Sequence, residues 1–194
     1  MKKLCAILFL LLSTISSING QNKYKLKDII SYNKLVYDME HNSSSEIYSL
    51  TENDILFNLI KNSNKDYHLI YSFATWCRPC REFFPEVLQL IKMRKNVELY
   101  IILIEKDNSK QLYNTKLFFD RLNFDKPLFC VSNYEKGNWR KSYFKFINDI
   151  APNHNEFGLS LSLVFDKHSR LLYASTHIES KTEVKQNLNS IFNL

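Results

Sequence analysis

Hydrophobic positions from Leu50 onward recur with two different periods, and the switches between them mark out the elements. Tyr67–Phe73 and Val97–Ile104 are apolar runs of strand length. The second is nearly unbroken, as expected of a central strand covered on both faces. Between them, Phe84, Val87, Leu88 and Ile91 fall at i, i+3, i+4 and i+7, which predicts a helix opened by Cys77 with one apolar face. Lys110–Leu122 reads as a second amphipathic helix and Pro127–Val131 as a short strand carrying Cys130. Trp139, Tyr143, Phe146, Ile147 and Ile150 make another helical stripe facing the core. Leu159–Phe165 then alternates, with Leu159, Leu161, Leu163 and Phe165 on one side, which predicts a strand. A turn over Asp166–Ser169 returns Arg170–Ala174 as its hairpin partner. Ser180 and Glu183 have capping-box spacing ahead of a last helix with Val184, Leu188, Ile191 and Phe192 inward. Upstream, Thr51 and Asp54 have the same spacing, with Leu50 and Ile55 placed as a hydrophobic staple, so a helix is expected from Glu52 to Asn62. Strands alternating with helices, closed by a hairpin and a helix, predict an α/β sandwich with a mixed central sheet flanked by helices.

The first residues follow another logic. Lys2 and Lys3 precede nine apolar residues, Leu4–Leu12, and small and polar residues then run to Gly20. That is the layout of a secretory signal peptide over residues 1–20, and the run falls well short of the roughly 20 residues of a spanning helix. No stable membrane insertion is expected, and the mature chain is read as exported, periplasmic or otherwise extracytoplasmic. Residues 21–46 form a polar extension, expected to add an edge strand or hairpin ahead of a domain over 47–194.

Composition narrows the chemistry. The 194 residues contain only 3 Gly, too few for either of the common glycine-rich phosphate loops. The formal charge of +6 falls to +4 once Lys2 and Lys3 are removed. The remaining basic residues are interspersed with acids, so a solvated surface is expected and no nucleic acid. Cys5 leaves with the signal peptide, and Cys77, Cys80 and Cys130 remain in a compartment where disulfides form.

Cys77-Arg78-Pro79-Cys80 falls between a predicted strand and a predicted helix. A thiol at a helix N-terminus faces unpaired N–H groups and the positive end of the dipole, which lower its pKa and favour the reactive thiolate. Two cysteines three apart can close a disulfide across one turn there. Cys77 can attack a substrate disulfide and Cys80 can resolve the mixed disulfide. Arg78 and Arg81 add positive charge nearby, and Arg78 is expected to favour the Cys77 thiolate.

Trp76, Cys77, Pro79, Cys80 and Pro85 match the pattern W-C-x-P-C-x-x-x-x-P, and the chain here resembles the thioredoxin superfamily, in particular its exported TlpA/ResA-like branch. The resemblance spans roughly residues 47–194. It implies a thioredoxin-like fold, Cys77 as nucleophile, Cys80 as resolving thiol and Trp76 packed beside the site. Three positions depart from that family. Gly158 through Asp166 fits the frame of its loop proline, but Ser160 stands at the proline position. A cis bond before serine would cost about 3–4 kcal/mol, which favours a trans peptide. Tyr71 replaces the buried Asp six residues before the first cysteine, and Phe83 replaces a Glu three residues after the second. Both usual proton-handling carboxylates are missing, and Glu82 is expected to face elsewhere.

Two functions from different classes fit these residues. One is an exported thiol–disulfide oxidoreductase that reduces or exchanges disulfides in extracytoplasmic proteins through Cys77 and Cys80. It would need no bound cofactor and would draw electrons from an upstream redox protein. The other is a thioredoxin-like binding module with a weakly active or structural Cys77–Cys80 disulfide, motivated by Tyr71, Phe83 and Ser160. No metal site is expected, because no second C-x-x-C and no closely spaced histidine pair accompanies the motif. Cys130, in an apolar strand, is expected to be a buried inert thiol. The threonine–cysteine spacing of peroxiredoxins is absent, with Thr75 two residues before Cys77.

Overall fold

The computed structural model describes residues 24–29, 31–41, 46–135 and 138–193. The signal-peptide reading therefore lies outside the described residues. In chain order the elements are β1 (Lys27–Asp28), α1 (Tyr32–His41), β2 (Ile47–Ser49), α2 (Asp54–Asn62), β3 (Tyr67–Phe73), α3 (Arg78–Lys92), β4 (Val97–Leu103), α4 (Lys110–Arg121), β5 (Leu128–Cys130), α5 (Trp139–Ile150), β6 (Ser162–Asp166), β7 (Leu171–Ala174) and α6 (Lys181–Phe192). The strands form one mixed sheet in the order β1-β2-β5-β4-β3-β6-β7. β3, β4 and β5 are parallel neighbours, whereas β6 runs antiparallel to both β3 and β7.

Alternation along β3 sorts the core into two layers, as the two-residue period of a strand requires. Leu69, Tyr71 and Phe73 face α3, α4 and α6, together with Phe84, Val87, Phe119 and Leu188. Ile70 faces the other layer, with Leu56 and Ile60 of α2 and Tyr143, Phe146 and Ile147 of α5. His68 stacks on Tyr100 with ring centroids 5.9 Å apart, and burial holds its imidazole below its ordinary pKa. Phe119 anchors the first layer. It is fully buried and meets Phe73, Phe84, Phe118 and Phe124 with centroids 5.1–5.4 Å apart.

Several elements depart from their predicted form. The Thr51 capping box is not made: α2 starts at Asp54, behind Asn53, which makes no side-chain cap bond. Leu50 N–H is still donating to Cys130 O at 2.9 Å, so the chain remains extended past Thr51 before it can coil. The Ser180–Glu183 capping box does form, at a helix start free of the sheet. The polar extension supplies an edge strand, β1, but it pairs with β2 in parallel and not as a hairpin, with α1 making the crossover. In α3 the buried face is Cys80, Phe83, Phe84, Val87 and Leu90, rotated from the predicted stripe, with Leu88 and Ile91 half-buried at its margin. Pro85 sits on the exposed side, where it has no N–H to give the equally exposed Arg81 carbonyl. Trp139 packs against the second layer as its stripe predicts, but only half-buried, at the start of α5.

Replacing Phe119 by Ala empties the point where five rings meet and is expected to cost about 3–5 kcal/mol, the range for a buried Phe. A urea titration followed by far-UV circular dichroism measures it.

Candidate active site

β3 ends at Phe73 and α3 begins at Arg78, so Ala74–Cys77 must turn the chain sharply. Cys77 N–H closes that turn on Ala74 O at 3.1 Å. Cys77 then serves as the N-cap of α3, its sulfur accepting from Cys80 N–H at 3.3 Å. Pro79 occupies the first turn of the helix, where a missing N–H costs no intrahelical bond. Cys77 and Cys80 are joined as a disulfide with Cα atoms 5.3 Å apart. The two cysteines differ in their access. Cys77, 5% exposed, lines a cavity of about 450 Å³, whereas Cys80 is fully buried and does not line it. Trp76, Arg78, Pro79 and Ser160 line the same cavity, so the predicted site residues converge on one place. Phe83, Leu159 and Val184 supply apolar walls.

The far wall is the segment 158–161, and side-chain hydroxyls hold it. There is no cis peptide bond among the described residues, so Leu159–Ser160 is trans. Ser72 Oγ donates to Leu159 O at 2.6 Å and accepts from Leu161 N–H at 2.9 Å, while Ser72 N–H donates to Leu161 O at 3.0 Å. These bonds hold Leu159 and Ser160 outside the ladder, so β6 begins at Ser162, three residues later than its alternation predicts. Tyr143 Oη donates to Gly158 O at 3.0 Å. Tyr71 Oη lies 3.0 Å from both Cys80 O and Ser160 Oγ. A phenol has one proton and Cys80 O can only accept, so Tyr71 donates to Cys80 and receives the Ser160 hydroxyl proton. Burial pushes the Tyr71 phenol up to about 12, which keeps it a donor across the ordinary pH range. Tyr71 and Ser160 thus bond to each other, and Leu159 O sits 3.5 Å from Cys80 Sγ.

Charges at the rim are mostly neutralised. Arg78 Nε donates to Glu82 at 2.6 Å, and Lys181 of α6 donates to the other Glu82 oxygen. These two hydrogen bonds, with Lys181 the larger influence, hold the Glu82 carboxyl down to about 2. Glu82 therefore faces the site's rim and engages the Arg78 charge. Trp76 is 44% exposed and meets Trp139 edge-on with centroids 6.0 Å apart.

Sequence reasoning missed one acid. Glu105 lies two residues past the end of β4 and is buried, and its Oε1 accepts from Thr75 N–H at 3.1 Å, Thr75 Oγ1 at 3.2 Å and Thr115 Oγ1 at 2.6 Å. Desolvation outweighs these hydrogen bonds and raises its carboxyl to about 7. The available signal was a carboxylate closing an otherwise apolar strand run. Cys130 lies below it, its thiol donating to Glu105 O at 3.2 Å and pushed up to about 12 by burial. A buried, protonated thiol of this kind is unreactive. No group of three or more His, Cys, Asp or Glu suited to a metal ion occurs among the described residues. No helix among them is long and apolar enough to cross a membrane.

The parallel pair β4–β3, the antiparallel β6 and β7, the closing helix α6 and a C-x-x-C disulfide at the β3–α3 junction define a thioredoxin-like α/β fold. No family model and no curated protein matches the chain. Solved structures similar to it include a thioredoxin-family thiol:disulfide interchange protein from Chlorobium tepidum, 18% identical, covering 66% of this chain and 80% of its own, with a TM-score of 0.46. Another is the thioredoxin domain of a Bacteroides vulgatus thiol-disulfide oxidoreductase, 12% identical, with coverage of 70% and 84% and a TM-score of 0.47. A third is an exposed lipoprotein thioredoxin of Streptococcus pneumoniae, 12% identical, with coverage of 68% and 89% and a TM-score of 0.47. At these scores the likeness carries no argument about activity, which rests on the site's own geometry.

Tyr71→Phe removes the donor to Cys80 O and strands the Ser160 hydroxyl, so the oxidised protein should lose about 1–2 kcal/mol in urea unfolding. Glu105 sets a pH dependence of stability. Its folded pKa of about 7 lies above the ordinary 4.5, so the favourable contribution of its neutral form is complete below pH 4.5 and is lost as pH rises through 7. The loss is about 3 kcal/mol in all. Stability of Glu105→Gln measured from pH 4 to 8 should lack that fall.

Proposed function

We propose that this chain is a protein thiol–disulfide oxidoreductase acting on disulfide-containing proteins outside the cytoplasm. The observation that carries the reading is the unequal access to one disulfide: Cys77 lines the cavity while Cys80, fully buried, does not. In the reduced form the Cys77 thiolate, favoured by the N-terminus of α3, attacks one sulfur of a substrate disulfide. An S–S bond forms to Cys77, the substrate S–S bond breaks, and the first substrate thiolate leaves and takes up a proton. Cys80, as its thiolate, attacks Cys77 Sγ and expels the second substrate thiolate. Two electrons have passed to the substrate, and the Cys77–Cys80 disulfide is restored. An upstream redox protein returns two electrons to it, and no bound cofactor takes part. The basic, apolar and small-residue segments of residues 1–20 support export, which puts the chain where disulfide substrates occur.

Insulin reduction with dithiothreitol as electron source tests the reading. The wild type should accelerate precipitation of the insulin B chain, and Cys77→Ser should fall to the uncatalysed rate. Equal rates for the two proteins, with insulin and with other disulfide proteins, would instead favour a binding module that keeps its disulfide for structure.

A further inference from the structure

Glu105 takes no part in the exchange as written, yet its hydrogen bonds end on the turn that presents Cys77. All three of its donors converge on Oε1: Thr75 N–H, Thr75 Oγ1 and Thr115 Oγ1. Oε2 is buried and makes no hydrogen bond. That division leaves Oε2 free to carry a proton while Oε1 keeps its donors, so gain or loss of the proton need not break the turn. What changes is the charge, and with it the strength of the bond to Thr75, two residues before Cys77. The Glu105 residue also lines a cavity of about 330 Å³ under Trp76 and Trp139. The cavity gives a proton a route to a side chain only 1% exposed.

We propose that Glu105 is a positioning residue for Cys77, acting through Thr75, and that its ionisation sets how readily the Cys77 thiolate forms. The proposal rests on Cys77 being the attacking thiol. Ionised Glu105 places a negative charge behind the turn and opposes a second negative charge on Cys77. Neutral Glu105 removes that opposition. The carboxyl's midpoint near 7, raised by burial, puts the change within the range where thiol exchange operates. The other charged or titratable groups around it are accounted for. Lys106 and Arg140 line the same cavity, and neither bonds to the carboxylate. Asp107 turns away to Leu26 N–H and Asn133 Nδ2, Cys130 stays protonated below, and the side chains of α4 that face the group, Ser109, Gln111 and Thr115, are neutral.

The test is the rate of iodoacetamide alkylation of Cys77 in the reduced full-length protein between pH 4 and 9, which needs no turnover. Wild type should show two ionisations, one near 7. Glu105→Gln keeps an acceptor oxygen for Thr75 and should show a single ionisation, with the Cys77 midpoint lowered by up to about one pH unit. Thr115→Val removes the shortest bond to the carboxylate and should move the step near 7 upward. Wild-type and Glu105→Gln profiles that superimpose would overturn the proposal. So would a Thr115→Val step that stays in place, which decides the matter even if Glu105→Gln fails to fold. A Glu105-dependent step without insulin reduction would sink the oxidoreductase reading alone, and insulin reduction without the step would sink this proposal alone.

Discussion

β3 is hydrogen-bonded along both edges and covered on both faces, so water is not available as a partner to the hydroxyls of Tyr71 and Ser72. Both hydroxyls find partners in residues 159–161, the segment that leads into β6 beside the end of β3. The segment facing the disulfide is therefore held by hydroxyls that belong to the core. The same Tyr71 phenol reaches the Cys80 carbonyl. One buried strand thus ties the buried cysteine to the segment that walls the cavity.

The electrostatics of the site divide by depth. At the surface, Arg78, Glu82 and Lys181 form a chain of exposed pairs that bridges α3 to α6. Charges of this kind are screened by solvent and contribute little to the field at Cys77. The dominant positive influence on that sulfur is then the helix end itself, with its unpaired N–H groups and the bond from Cys80 N–H. Below the surface, Glu105 is only 1% exposed, so its charge is screened far less than theirs. Two threonines from separate elements were needed to accommodate that acid, one from the turn and one from α4.

Legibility of the chain follows the range of the interactions involved. β3 runs from Tyr67 to Phe73 as its apolar run predicts, and the Ser180–Glu183 cap forms because both of its partners lie within one turn. Cys77 and Cys80 were readable as a pair for the same reason. Thr51 misled because a bond from Leu50 to a distant strand outweighed a local preference. Helix α1 was missed in a polar segment with little apolar periodicity, where α1 is settled by the crossover between the parallel strands β1 and β2. The spacing of Arg78 places it beside Cys77, and the structure adds an ion pair with Glu82 one helical turn on.

By itself, then, the amino-acid sequence determined the order of strands and helices from α2 onward, the cysteine pair and its place at a helix start. Each of these depends on spacings of a few residues, which periodicity and capping rules can read. Tertiary structure decided what surrounds the pair. Tyr71 meets Ser160 across 89 positions and Thr75 meets Glu105 across 30, and no local pattern marks either contact. They arise because burial removes water as a partner, and a polar group deprived of water must take whatever donor or acceptor the fold brings within reach.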